Sequence, residues 1–372
     1  MNRRDFIKTV SCAAGLSAAA SLPARSHLQT PKKVLFLGGR LYAGPYMVRA
    51  LIAAGHEVTI SNRGITNPHL FPELSYVWCD REQDQAIGLA ALLERVKLEK
   101  FDWVVDTWQK HPAAVRDTAR LLSHYIPFYH YVSTISVYRD WNKVGISENY
   151  PIKDLSAGSF DRSMEYRYAI RKTLGEAAVR EHYPKNHVLF RSHGMRAYHQ
   201  DDPIYEAYWP VRLMRGGEVI IPDAADHFAQ VTDIKSLASF MVHCGETGKT
   251  GPFNVAYSPF RFSDYLQQAE KVLNPQVIYV PMDPQTLAYY KVKPYRTMPL
   301  WRPNPAGAYR FDVSRAKSAG LVNRSLTQLI SDQIAGYRDR YPDDSFQFTY
   351  GPLNTEREAE IIADFKRRNE GE

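Results

Sequence analysis

Two short stretches carry side chains whose types and spacing could do chemistry. In YHYVSTISVYRD, Ser133 and Thr134 place two hydroxyls at the end of an apolar, strand-like run. In EYRYAIRKTLGE, Tyr168 and Lys172 stand four residues apart, with Glu176 four further on. On a helix, positions i and i+4 share a face, so the phenol and the amine project together. An ammonium beside a phenol favours the phenolate, so Tyr168 is expected to titrate below the ordinary phenol and to exchange a proton nearer neutrality. The Thr134 hydroxyl would hold the reacting oxygen. Either stretch alone is weak, since a solvated Tyr–Lys pair is common; their order along the chain, after a glycine turn, is what gives them weight.

That glycine turn belongs to the segment that must position everything else, KVLFLGGRLYAGPYMVRALIAAGHEVTISNRG, residues 33 to 64. Val34 to Leu37 form an uncharged run suited to a buried parallel strand. Gly38, Gly39 and Gly44 frame a tight turn, and Pro45 falls in the first helical turn, where its missing N–H costs nothing. Met47, Val48, Leu51 and Ile52 make a helical stripe that Gly55 stops, and Val58 to Ile60 resume a strand ending at Asn62–Arg63. Strand, glycine turn, helix and strand make half of a nucleotide-binding sheet, in which backbone N–H groups meet a pyrophosphate at the helix's positive end. The spacing is Gly38-x-x-Leu41-x-x-Gly44, with Leu41 where a central glycine is usual. A tight turn without a ligand is the alternative.

Strand and helix signals then alternate to about residue 190, as a doubly wound parallel sheet of Rossmann type requires. Strands are expected at Tyr76–Cys79, Phe101–Val105, Phe128–Val132 and Val188–Phe190, with helices over Ala86–Val96, Ala113–His124 and Ser163–Tyr183. Beyond residue 195 the alternation fails and proline-rich joints take over. The expected division is a dinucleotide-binding domain at 33–195 and 225–255, a smaller substrate lobe at 196–224 and 256–345, and a tail at 346–372. The tail's REAEIIADFKRRNEGE mixes both signs, as a solvated helix would.

In order and sequence these pieces resemble the extended short-chain dehydrogenase/reductase family, the NAD-dependent epimerase/dehydratases, over roughly residues 33 to 335. VLFLGGRLYAG is similar to the family's glycine turn, YVSTISVY to its Ser/Thr motif and YAIRKTLGE to its YGxxKxxxE segment. LFRSHGM and QVTDIKSLA resemble the segments that follow. The resemblance implies Thr134, Tyr168 and Lys172 as catalytic residues, Lys172 also gripping the nicotinamide ribose, and hydride exchange with a sugar or polyol-type hydroxyl or carbonyl. It implies a cofactor site of Gly38, Gly39, Arg40, Leu41, Gly44, Asn62, Arg63, Asp80, Thr107, Tyr168 and Lys172, with oxidised nicotinamide further favouring the phenolate. Arg40 replaces a usual Thr, and Asn62–Arg63 stands where an Asp would bind a free 2′-OH. A guanidinium matches a phosphate, which favours NADP over NAD, although Arg63 is equally readable as a solvated turn residue. Tyr205, Tyr208, Trp209 and Arg212 fall where relatives line a substrate cleft, with Tyr208 and Arg212 the chosen candidates; a helix packed by its aromatic stripe explains them as well. Trp301–Arg302 is a further cleft candidate. The family suggests a homodimer. A nucleic-acid-binding or non-catalytic nucleotide-binding protein of the same fold is the alternative.

The leader MNRRDFIKTVSCAAGLSAAASLPARS joins twin arginines to a short Ala/Ser-rich segment with small-residue cleavage sites, and resembles a Tat export signal at residues 1–26. Export of an already folded protein suits a periplasmic enzyme that loads its nucleotide in the cytoplasm; a disordered basic tail is the alternative. Of the net charge of +7, the first 25 residues carry +3, leaving +4 without a basic stripe. That balance gives no reason to expect nucleic acid as a partner and suits an anionic cofactor. No later run is long and apolar enough to span a membrane. Cys12, Cys79 and Cys244 show no metal spacing, nor do His193, His199 and His227, so neither a disulfide framework nor a metal is expected, and Cys79 reads as a core residue.

Overall fold

An uncharged run bounded by glycine belongs in the middle of a sheet covered on both faces. In the computed structural model, which describes residues 30–156, 167–196, 207–223, 227–348 and 351–369, Val34 to Leu37 are fully buried in β1 (Lys33–Leu37). The other strands of the sheet are β2 (Glu57–Asn62), β3 (Ser75–Trp78), β4 (Trp103–Asp106), β5 (Phe128–Thr134), β6 (His187–Ser192) and β7 (Gly251–Val255). Their spatial order is β7-β6-β5-β4-β1-β2-β3, and every pairing is parallel. The order reverses between β1 and β4, the place where such sheets open a crevice at their C-terminal ends.

Alternate residues of β1 feed two cores. Val34 and Phe36 pack against α1 (Ala43–Ala53) and α5 (Ile234–Thr247). Leu35 and Leu37 pack against α2 (Ala90–Leu98), α3 (Pro112–Leu122) and α4 (Tyr168–His182). The helix expected over Ala86–Val96 divides into Gln85–Gly88 and α2, and Gly88 lies so close to Asp80 that a Cβ there would meet its carbonyl oxygen at 2.0 Å. Asp233 caps α5 by accepting hydrogen bonds from the N–H groups of Lys235 and Ser236.

A third core unites the strands Gly217–Pro222 and Val277–Met282, paired in parallel, with the helices Tyr208–Met214, Phe262–Leu273, Leu326–Arg340 and Thr355–Asn369. The last of these corrects the reading of the C-terminal stretch as a solvated tail. Ile361 and Ile362 are buried in this core, and the buried Glu358 accepts a hydrogen bond from Ile220 N at 2.9 Å. Apart from Glu358, its mixed charges lie outside this core. Lys32–Glu372 form one compact unit. The twin-arginine leader lies outside the described residues, and no described helix is long and apolar enough to cross a membrane.

Candidate active site

The glycine turn sits at the mouth of the crevice and its backbone explains its composition. Gly38 and Gly39 adopt φ of +104° and +90°, open to glycine at little cost. A Cβ on Gly44 would approach the Gly39 backbone to 2.8 Å, so the first turn of α1 touches the turn that follows β1 only because residue 44 lacks a side chain. Asn62 locks the neighbouring loop, donating from Nδ2 to Gly38 O at 2.7 Å and accepting from Gly64 N at 2.8 Å. Tyr42, at the N-cap of α1, contributes no side-chain cap, so the helix's first N–H groups face the turn without a side-chain partner there. Thr107 lies at 3.0 Å from where a Gly38 Cβ would stand.

One cleft is lined by Gly38, Gly39, Arg40, Leu41, Asn62, Arg63, Asp80, Thr107, Tyr168 and Lys172; Gly44 lies beneath it, against Gly39. Arg40 is 9% exposed, its guanidinium carbon 5.4 Å from the Tyr76 ring centre. Its buried Nε has no hydrogen-bond partner among the described residues. Arg63 is the more exposed of the two guanidinium groups and is already paired, 3.1 Å from Glu82. Asp80 accepts a hydrogen bond from Glu82 N at 3.1 Å.

At the opposite end of the cleft, Lys172 is buried and donates from Nζ to the carbonyl oxygens of Trp108 and Val132, both at 2.6 Å. The ammonium also lies 4.6 Å from the Tyr131 ring centre. Burial pulls its pKa down to about 7. Tyr168 opens α4, and the Thr134 side chain lies close enough to its phenol to favour the phenolate, while Thr134 Oγ1 itself accepts a hydrogen bond from Ser136 N at 3.2 Å. The expected lowering of that phenol is not found. Burial raises it, outweighing the nearby Thr134 hydroxyl and the Arg171 charge, while the Lys172 amine is aimed at two carbonyls instead.

The other hydroxyl of the pair has a different use. Ser133 donates to Glu176 Oε1 at 2.6 Å, and Glu176 takes both Nε (3.0 Å) and Nη2 (2.8 Å) of the buried Arg191. Glu176 thus ties α4 to β5 and β6 from below rather than entering the cleft. A comparable network escaped the sequence reading. Buried Asp106, at the end of β4, takes Nη1 and Nη2 of Arg81 at 2.8 Å each, the Tyr129 hydroxyl at 2.5 Å and Trp108 N at 2.8 Å. The Arg81 charge holds the Asp106 carboxyl below its ordinary range despite burial. Both residues follow or end strands, which was the available signal, but only the fold brings them together.

Of the expected substrate residues, Tyr208 and Arg212 are in the core of the second lobe. Tyr208 is 1% exposed, and Arg212 pairs with buried Glu358 while donating to Gly216 O at 2.8 Å. Trp209 donates from Nε1 to Pro299 O at 2.6 Å. Their three-and-four spacing is therefore a packing stripe, and neither Tyr208 nor Arg212 lines the cleft beside Tyr168. Tyr205 and His199 lie outside the described residues. His193 and His227 are buried neutral rings held to the carbonyls of Ala308 and Leu300, and no group of three potential metal ligands occurs among the described residues.

No family profile matches the chain, and no curated protein matches it. Among solved structures it is similar to the Bordetella bronchiseptica enzyme WbmH in complex with NAD+, at 16% identity and TM-score 0.58, over 83% of this chain and 99% of that one. It is also similar to a putative epimerase from Burkholderia cenocepacia (14% identity, TM-score 0.62, 84% and 100% covered). A third is UDP-glucose 4-epimerase from Thermotoga maritima with UDP-glucose (16% identity, TM-score 0.55, 82% and 99% covered). The seven-stranded parallel sheet, its flanking helices and the smaller lobe are thus a Rossmann-type α/β fold shared with these epimerase-type structures.

Proposed function

We propose that the chain is an NAD(P)-dependent oxidoreductase or epimerase acting on a hydroxyl or carbonyl of a sugar or polyol-type substrate. The observation that carries this reading is the single cleft joining the glycine turn to Tyr168 and Lys172. A dinucleotide fits its residues: the turn has no room for a Cβ at Gly44, α1 begins without a side-chain cap, and Arg40, whose buried Nε has no hydrogen-bond partner among the described residues, lines the same space. The NAD+ and UDP-glucose named for the similar structures support the same choice of cofactor and substrate class.

The bound nicotinamide would supply the hydride acceptor or donor. Tyr168 would take or return the hydroxyl proton, and Thr134, close to it, would hold the reacting oxygen. Lys172, fixed by two carbonyls, would present its remaining hydrogen-bonding capacity to the nicotinamide ribose. Arg40, with Arg63 beside it, is the group for a 2′-phosphate, which favours NADP. The leader supports export through the twin-arginine route to the periplasm.

Tyr168→Phe tests the reading. It is expected to bind the dinucleotide as the wild type does and to lose at least about a hundredfold in turnover on whichever polyol or carbonyl compound reduces or oxidises the bound nucleotide. Unchanged turnover would refute the assignment.

A further inference from the structure

The loop over residues 291–302 contains left-handed backbone and a guanidinium, that of Arg302, with no carboxylate partner among the described residues. Lys291, Tyr295 and Leu300 adopt φ of +60°, +63° and +63°, a left-handed conformation that residues with a Cβ rarely take. Tyr295 N donates to Trp301 O at 2.7 Å, closing the loop from which Arg302 emerges. The Arg302 guanidinium carbon lies 4.6 Å from the Trp141 ring centre and 5.2 Å from that of Tyr295. Its attraction to two aromatic faces fixes its place, yet among the described residues no carboxylate or other acceptor takes its in-plane N–H groups.

The surroundings tie this cation to the reacting hydroxyls. Trp141 donates from Nε1 to the carbonyl of Ile135, the residue after Thr134, at 3.2 Å. Tyr295 lies within electrostatic reach of the Tyr168 phenol. Tyr309 is 4% exposed and stacked on His193 at 5.1 Å, and its buried hydroxyl has no hydrogen-bond partner among the described residues. Tyr309 is in electrostatic reach of Arg302 and Tyr295. Through Trp141, a guanidinium with open in-plane donors is tied to the strand end that carries Thr134, and such a group matches a ligand with an oxyanion.

We infer that Arg302, clamped between Trp141 and Tyr295, receives a carboxylate or phosphate oxyanion carried by the polyol substrate. The inference rests on the reading of Tyr168 as the proton-exchanging group. A planar guanidinium meets two oxyanion oxygens at once, whereas a neutral polyol would cover the charge without satisfying it.

The test titrates dinucleotide-saturated protein with glucuronate, glucose 6-phosphate and glucose, reading tryptophan fluorescence, for the wild type and Arg302→Gln. One of the two acids is expected to bind about tenfold or more tightly than glucose, and which one does so identifies the oxyanion. Arg302→Gln is expected to erase the preference while leaving dinucleotide affinity unchanged. If the dinucleotide binds but neither acid outcompetes glucose, or the variant keeps the preference, the inference fails while the reading of the cleft stands. If no dinucleotide binds the wild type, that reading fails first and the inference with it.

Discussion

The Lys172 ammonium nitrogen lies 2.6 Å from the carbonyl oxygen of Val132, two residues before Thr134 on the same strand. This bond fixes the amine between α4 and the end of β5, and burial brings its pKa to about 7. The amine is therefore uncharged in the folded chain above pH 7 and charged in the unfolded chain up to its ordinary value of 10.5. Stability gains from this group as pH rises across that window, at about 1.4 kcal/mol per pH unit. Lys172→Met is expected to lack the rise in urea unfolding between pH 7 and 9, and to lose dinucleotide binding and turnover together.

Arg40→Gln separates the two guanidinium groups at the nucleotide end. Because Arg63 already pairs with Glu82, Arg40 is expected to carry the larger part of any phosphate preference. Calorimetric titration should show NADP+ affinity falling about tenfold or more, with NAD+ affinity much less affected.

Glu176→Ala removes the carboxylate that holds Arg191 and Ser133. Leaving Arg191 buried without its partner is expected to cost about 3–5 kcal/mol in urea unfolding. Dinucleotide affinity at the cleft should change little, since Glu176 lies beneath it.

Acid stability turns on buried neutral histidines. His130 sits in the sheet between the rings of Trp103 and Phe190, neither nitrogen has a hydrogen-bond partner among the described residues, and burial lowers its pKa to about 3. The unfolded chain takes up that proton near pH 6.5 and the folded chain does not, so stability falls between pH 6.5 and 3 by about 1.4 kcal/mol per pH unit from this group. His130→Phe is expected to move the acid-unfolding midpoint to lower pH, followed by circular dichroism.

The sheet was legible because its strands are short uncharged runs separated by helices with period and caps, from Val34–Leu37 to the Asp233 cap of α5. The cleft was legible because Gly38, Gly39 and Tyr168–Lys172 each obey a local rule of backbone or helix spacing. What stayed hidden depends on partners far along the chain. Arg81 and Asp106 find each other only across the sheet ends, and Arg302 meets Trp141 only when the second lobe folds back. Tyr208 and Arg212 misled because an aromatic stripe at helical spacing looks the same whether it packs or binds. The phenol misled for another reason: i and i+4 spacing places Lys172 on the right face but does not say where its charge points.

The central claim is that the glycine turn seats a nicotinamide dinucleotide whose far end reaches Tyr168. Calorimetric titration of NADP+ and NAD+ into the purified wild type and into Gly44→Val, with circular dichroism to show that the variant is folded, tests it most directly. A Cβ there meets the Gly39 backbone at 2.8 Å and displaces the turn. One dinucleotide bound per wild-type chain, and none by the folded variant, is the predicted result. Absence of binding to the wild type, or undiminished binding to the folded variant, would contradict it.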